Sequence, residues 1–293
     1  MIKILQLSLF GTTNLEEKIN RAIERIKTFE PPEGYYLAFS GGKDSQCIYH
    51  LTKEAGVKFD THYNHTTVDP PELIYFIRDN YPDVISEKPP LTMWQLIVKK
   101  RLPPTRKVRY CCQVLKENGG IGRFCMTGVR WSESTRRANT RSAIEIQNKN
   151  EKLRMLFNDN DDARRMIENC TLKGKQVLNP IIDWTDDDVW NYIKSRNLKY
   201  CKLYDEGFTR LGCIGCPMAG QAGREREFIR WPKYKKAYLR TFDKLATYRN
   251  ENGLNKDKNG LFTTGQGIYN WWMEYIKFPS KEMDGQTIMQ EFY

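Results

Sequence analysis

Six consecutive residues, Ser40-Gly41-Gly42-Lys43-Asp44-Ser45, carry groups suited to holding an anion. Two adjacent glycines let the backbone turn tightly and come close to a ligand. Successive N–H groups then face one concavity, and a helix opening at that point adds positive potential. Ser40 and Ser45 can donate hydroxyl hydrogen bonds to phosphate oxygens, and Lys43 can balance their charge. Asp44 can hold a Mg²⁺ ion bridging two phosphates, because that ion prefers oxygen ligands. The spacing is not that of a Walker loop, which places four residues between its first glycine and Gly-Lys. The bland alternative is an ordinary serine–glycine turn. An apolar run before it and a helical run after it argue against that alternative.

A second set of residues is sulfur. Of the eight cysteines, Cys111 and Cys112 are adjacent, and Cys213-Ile214-Gly215-Cys216 forms a C-x-x-C followed by Pro217. Four such thiolates fit either a [4Fe–4S] cluster or a tetrahedral zinc. Adjacent residues chelate one zinc with difficulty but can reach two different irons, which favours the cluster. Cys47, Cys125, Cys170 and Cys201 occur singly and read as core residues. Met1–Phe10 is too short and polar for an export signal, and no apolar run approaches a membrane span. A reducing, cytoplasmic compartment is therefore expected. There, clustered cysteines serve as metal ligands or catalytic thiols rather than disulfides.

Charge points the same way as the glycine loop. The chain of 293 residues carries a net charge of +11. Most of that excess lies between Trp94 and Ser142, where twelve Lys and Arg residues face only Glu117 and Glu133. A local surplus of this size suits phosphates or a polyanion, although it also suits a solvated face paired with acids elsewhere.

The elements that must position these groups alternate. Asn14–Phe29 has the periodicity of an amphipathic helix, with Leu15, Ile19, Ile23 and Ile26 on one side. Tyr35–Phe39 reads as a strand, the glycine loop follows, and Ser45–Ala55 reads as a helix stopped by Gly56. Val57–Tyr63 is a second strand, and Pro70–Asn80 a helix that opens on prolines. Thr92–Lys100 reads as a helix, Arg123–Val129 and Gln176–Ile182 as strands. Thr185 caps a helix to Ser195, with Asp186, Asp187 and Asp188 at its positive end. The expected fold is α/β: a parallel twisted sheet with helices on both faces, Rossmann-like. Ligands in such sheets sit beyond the carboxyl ends of the strands, where the first loop lies. Asn148–Lys175 is charged and reads as an insertion or mobile loop. One boundary is drawn between 219 and 220: 1–219 as the nucleotide-binding domain bearing the cysteines, 220–293 as a basic, aromatic, mostly helical extension.

The motifs together are similar to a known family. Ser40–Ser45 resembles the SGG-x-DS signature of the PP-loop ATP pyrophosphatases, which split ATP between its α and β phosphates. Arg109-Tyr110-Cys111-Cys112 with Lys116, and Gly212-Cys213 through Cys216, resemble the cysteine segments of assimilatory adenylyl-sulfate reductases. Thr127-Gly128-Val129-Arg130 with Glu133, Ser134, Arg136 and Arg137 resembles another of their segments, as does Trp184-Thr185 through Trp190. The resemblance implies the adenine nucleotide alpha hydrolase-like fold of the phosphoadenosine phosphosulfate reductase superfamily. It implies ATP and Mg²⁺ at Ser40, Gly41, Gly42, Lys43, Asp44 and Ser45. It further implies a [4Fe–4S] cluster on Cys111, Cys112, Cys213 and Cys216.

Two features depart from the reductases. No cysteine follows Cys216, so their C-terminal nucleophile has no counterpart, and the glycine loop is intact where theirs is degenerate. That combination resembles iron–sulfur sulfurtransferases that adenylate a nucleic acid, the DNA phosphorothioation enzymes being nearest by motif. The expected reaction is ATP-dependent adenylation of DNA or tRNA, with pyrophosphate release and sulfur transfer from a donor such as a cysteine desulfurase. Lys43, Asp44, Arg130 and Arg137 are the expected catalytic residues. Asp69, Asp183, His62 and His65 are weaker candidates. The rivals are a sulfonucleotide reductase using an external thiol, and a nucleotide- or nucleic-acid-binding module with a structural cluster. Arg224 to Arg240 interleaves cations with Phe228, Trp231, Tyr234 and Tyr238. That pattern reads either as a base-stacking surface or as a helix packing its aromatic side inward.

Overall fold

A computed structural model describes residues 15–117, 119–147, 155–157, 175–255 and 260–275. Met1–Phe10, Cys170, most of Asn148–Lys175 and the last residues to Tyr293 lie outside them. In chain order the helices are α1 (Leu15–Thr28), α2 (Lys43–Ala55), α3 (Pro71–Asn80), α4 (Met93–Lys99), α5 (Tyr110–Leu115), α6 (Thr135–Thr140), α7 (Asp186–Ser195), α8 (Gly220–Arg230), α9 (Pro232–Glu251) and α10 (Gly265–Trp272). The strands are β1 (Tyr35–Ala38), β2 (Phe59–Asn64), β3 (Ile85–Glu87), β4 (Cys125–Met126), β5 (Ile144–Gln147), β6 (Met155–Phe157) and β7 (Lys175–Leu178).

Contacts divide the described chain into two units. The first comprises residues up to 64, 71–87 and 119–211. The second comprises 65–70, 88–118 and 212 onward, so each is assembled from separated segments. The sequence had drawn a single boundary, between 219 and 220.

The first unit is built on a seven-stranded sheet in the order β3-β2-β1-β4-β7-β5-β6. Strands β3, β2, β1, β4 and β7 run parallel. The chain winds outward from β1 to β2 and β3, then returns to lay β4 on the other side of β1. That reversal makes the carboxyl end of β1 a topological switch point, and the glycine loop sits there. The α/β class read from the sequence stands. One edge differs from the parallel sheet expected: β5 pairs antiparallel with both β7 and β6. Arg123–Val129 shortens to the two-residue β4. Its flank at Gly128 lies so close to Asp44 that an added Cβ would meet the Asp44 carbonyl carbon at 3.0 Å.

Burial follows the patterns that build these elements. Tyr35, Leu37, Ile48 and Leu51 are buried on β1 and α2, with Ile19, Ala22 and Ile26 of α1. Two ion pairs tie α1 to the α7 region: Lys18 to Asp188 at 2.5 Å and Arg25 to Asp183 at 2.9 Å. The Thr185 cap forms as expected, with a reciprocal bond from the Thr185 amide to Asp188.

The second unit is helical. Its core is aromatic: Tyr238 packs on Trp272, Trp94 and Phe228, and Phe242 packs on Trp272. The 220–275 segment is therefore helical where described, and most of its aromatics face inward, with Tyr275 exposed. Phe228, Trp231 and Tyr238 are buried. The half-buried Tyr234 donates its hydroxyl to the Asp69 carbonyl at 2.9 Å. The base-stacking surface considered for these rings is thus replaced by a packed core. No described helix is long and apolar enough to cross a membrane.

Candidate functional site

The glycine loop joins β1 to α2. Gly41 lies in the left-handed region at φ 70°, and a side chain there would strike Ile77 at 2.7 Å. Gly42 is extended and precedes the first turn of α2 without a side-chain cap of its own. The loop is braced from within. The Ser45 hydroxyl donates to the Gly42 carbonyl at 2.8 Å, and the Gln46 side-chain amide donates its Nε2 to the Gly41 carbonyl at 2.9 Å. The first-turn amides of α2 have no carbonyl within the helix to meet them. One, from Lys43, donates to the Tyr204 hydroxyl at 2.9 Å.

Around this turn the first unit gathers a dense set of charges. Arg130, with 3% of its side chain exposed, donates its Nε to Asp44 at 2.7 Å and an Nη to Asp186 at 2.8 Å. Its other Nη reaches the Ser132 hydroxyl and the Trp184 carbonyl. The Lys43 ammonium lies 3.0 Å from Asp186 and donates to the Thr209 carbonyl. Burial would push the Asp186 carboxyl up, but Lys43 and Arg130 hold it below the usual carboxylate range.

Arg137 pairs with Glu133 on its own turn. Burial and the charges of Arg210, Arg141 and Arg130 push its guanidinium below the ordinary arginine value, with Asp44 opposing them. Arg130, Arg141 and Arg210 thus act on Arg137 together with Asp44, and carboxylates pair three of the four arginines: Asp44 and Asp186 with Arg130, Glu133 with Arg137 and Glu145 with Arg141.

The structure brings all six loop residues, Arg130 and Arg137 into this one unit. The fork of Arg130, one of the expected catalytic residues, holds Asp44 and Asp186. Asp44, expected to hold Mg²⁺, is here the partner of Arg130. Asp186, Tyr204, Thr209 and Arg210 join the site without having been singled out for it. Asp186 was read only as a helix-end acid, and nothing local in the sequence marks the other three.

The weaker candidates have local partners. The buried Asp69 carboxylate accepts the Thr66 amide and hydroxyl, each at 2.7 Å. Asp183 accepts Arg25 and Arg21. His62 lies between Asp60 and Glu87 and stacks on Tyr36 at 4.1 Å.

The cysteine site belongs to the second unit. Cys111, Cys112, Cys213 and Cys216 are all half-buried and not joined in disulfides, whereas Cys47, Cys125 and Cys201 are buried as expected. The C-x-x-C loop is firmly seated. The Ile214 amide donates to the Val68 carbonyl at 2.8 Å, Tyr238 donates to the Ile214 carbonyl, and the Gly215 amide donates to Glu227 at 2.6 Å. Gly215 has φ 76°, and a Cβ there would meet Tyr238 at 2.8 Å and Phe228 at 3.0 Å. Cys111 hydrogen bonds to Cys112 and, with Arg109 at 3.3 Å, holds the Cys112 thiol well below the ordinary range. The Lys116 ammonium is pushed up, chiefly by Cys213 and then by Asp69 and Cys112. Four thiols with two cations beside them fit an anionic sulfur-ligated group in donor chemistry. Among the described residues, no three His, Cys, Asp or Glu side chains stand in metal-ligating arrangement.

A doubly wound sheet with a glycine loop opening a helix at its switch point defines a Rossmann-like α/β fold. The chain belongs to the phosphoadenosine phosphosulfate reductase domain family, whose model matches residues 34–219. It is similar to an adenosine 5'-phosphosulfate reductase of Staphylococcus haemolyticus, 27% identical over 201 residues, covering 64% of this chain and 71% of the relative. It is also similar to an uncharacterized protein of Methanocaldococcus jannaschii, 28% identical over 263 residues, covering 83% of this chain but only 47% of that one. Among solved structures, the U34-tRNA thiolase NcsA of Methanococcus maripaludis, with its [4Fe-4S] cluster, aligns over 92% of this chain and 84% of its own, at 13% identity and a TM-score of 0.42.

Proposed function

We propose that this protein binds ATP on Ser40–Ser45, transfers AMP to an oxygen of a nucleic acid, and supports replacement of that oxygen by sulfur. The observation that carries the reading is the intact loop, Gly41 at positive φ and α2 opening behind it, at the switch point of the sheet. A chain that only received a finished sulfonucleotide would have no need of a seat for the departing pyrophosphate.

In the proposed reaction the acceptor oxygen attacks the α-phosphorus, the bond from that phosphorus to the bridging oxygen breaks, and pyrophosphate leaves. Backbone amides of the loop and the Lys43 ammonium stabilise the charge that develops there. Arg137 adds to the cationic field, and Arg130 keeps Asp44 and Asp186 in register with Lys43. A persulfide sulfur from a donor such as a cysteine desulfurase then attacks the activated atom and AMP leaves; an external thiol reductant cleaves the remaining S–S bond, supplying two electrons and leaving sulfur in place of the oxygen. Mg²⁺ would be held by Asp44 with the phosphates and would neutralise their charge. A [4Fe–4S] cluster would be held by Cys111, Cys112, Cys213 and Cys216, and would supply a site for sulfur. Arg109 and Lys116 would offset its negative charge.

A nucleic-acid substrate is supported by the exposed cations of α9, Lys233, Lys236, Arg240 and Lys244, which recur at helical spacing. The test is anaerobic purification followed by assay of pyrophosphate from ATP with DNA or tRNA. Nucleic-acid-dependent pyrophosphate is the expected result. The likeness to a reductase of Staphylococcus haemolyticus favours a second reading, and sulfite release from adenylyl sulfate alone would establish that one instead.

A further inference from the structure

Tyr204 stands at the glycine loop with half of its hydrogen-bonding capacity used. Its oxygen accepts the Lys43 amide at 2.9 Å. Because that oxygen is the acceptor, the hydroxyl proton points away from the amide. Burial pushes the phenol well above its ordinary value, so it remains a donor at neutral pH. Gly42 shows which side of the loop it faces. A Cβ built on Gly42 would lie 3.4 Å from the Tyr204 hydroxyl and 3.4 Å from the Ser40 hydroxyl. Both hydroxyls therefore border one side of the turn.

The ring is fixed in place. Trp190 packs against it edge to face at 5.0 Å, and the preceding Leu203 is fully buried. The Lys43 ammonium lies 5.9 Å from the ring centroid. A ring held this way, beside an amide and a lysine, has little freedom to leave.

We propose that Tyr204 is an anion-binding residue of the loop: its hydroxyl relays the Lys43 amide onto a phosphate oxygen of the triphosphate tail. This rests on the ATP-binding reading above. A chain of donors, amide to hydroxyl to oxyanion, reaches farther than the amide alone, and each bond polarises the next. It also explains why a tyrosine occupies a position where any small polar group could meet the amide.

The experiment measures binding of ATP, inorganic pyrophosphate and AMP by calorimetry to the full chain and to Tyr204→Phe. A hydrogen bond to a charged group corresponds to about a tenfold loss or more. ATP and pyrophosphate are expected to weaken by about that factor in Tyr204→Phe, with AMP within about twofold of wild type. Equal losses for all three ligands would mark Tyr204 as merely structural and overturn the proposal. Unchanged binding of all three would overturn it as well. Should the wild type bind neither ATP nor pyrophosphate, the adenylation reading itself falls and takes this one with it.

Discussion

Arg130 is a buried cation whose fork is divided between two carboxylates, Asp44 at 2.7 Å and Asp186 at 2.8 Å. Removing it leaves both acids facing each other beside the loop. Arg130→Ala is expected to lower unfolding free energy by about 1.5–3 kcal/mol, the range for hydrogen bonds to charged groups, read from urea denaturation. Arg130→Lys keeps the charge but loses the fork. It should retain most of the stability while pyrophosphate release slows, because Asp44 and Lys43 lose their common orientation. Equal rates for the lysine variant and wild type would mean that the fork serves folding alone. In the second unit, Gly215→Ala forces a non-glycine residue to φ 76° against Tyr238 and Phe228. It should destabilise by about 1–3 kcal/mol and disturb the spacing of Cys213 and Cys216. Loss of iron on anaerobic purification, with Gly212→Ala as the control in open space, reads the second effect.

At the scale of elements, α1 is tied to the α7 region through Asp183 and Asp188, and that tie is pH-dependent. Burial alone would raise the Asp183 carboxyl, but Arg25 and Arg21 outweigh it and hold the group below its ordinary value of 3.8. A carboxyl lowered in the folded state adds stability that is complete above the unfolded value. That stability is lost as pH falls from there through the folded value. The denaturation midpoint of the wild type should therefore drop more steeply below about pH 4 than that of Arg25→Met. Parallel curves would remove Asp183 from the acid response. The elements also show what a sequence exposes. The Thr185 cap, the Gly56 stop with φ 71° and the glycine loop were legible because each depends on residues within a few positions of one another. Strand β5 was not, because Ile144–Gln147 follows a polar arginine-rich run and joins the sheet only by pairing with the distant β7, β6 adding to its outer side. The short β4 was overestimated for a related reason: Thr127-Gly128-Val129 has strand-forming residues, but the chain leaves the ladder there to approach Asp44. Asp186, Tyr204 and Thr209 reach the loop from more than 140 residues away, and only the folded sheet brings them to it.

Among the described residues, much of the charge surplus has two destinations. Part of it, Arg130, Arg141 and Arg210, gathers around Arg137 and Asp44 in the first unit. Another part lies on α9, where Lys233, Lys236, Arg240 and Lys244 are exposed, while Tyr238, Phe242, Leu245 and Arg249 are buried. Positions i, i+3, i+7 and i+11 fall along one side of a helix, so these cations form a stripe directed away from the aromatic core. With the rings of this segment buried, such a stripe is suited to the phosphates of a nucleic-acid backbone rather than to its bases. Each phosphate neutralised releases counterions and steepens the fall of affinity with salt by about 0.9 in a log–log plot for a duplex. Replacing all four cations by glutamine should flatten that slope by about 3.6 for a duplex, measured by fluorescence anisotropy with duplex DNA and with tRNA at several salt concentrations. ATP and pyrophosphate binding should persist, since the loop and its partners lie in the other unit. A slope unchanged by the four substitutions would show that the stripe is only a solvated surface, and that any nucleic acid is gripped by other residues of the chain.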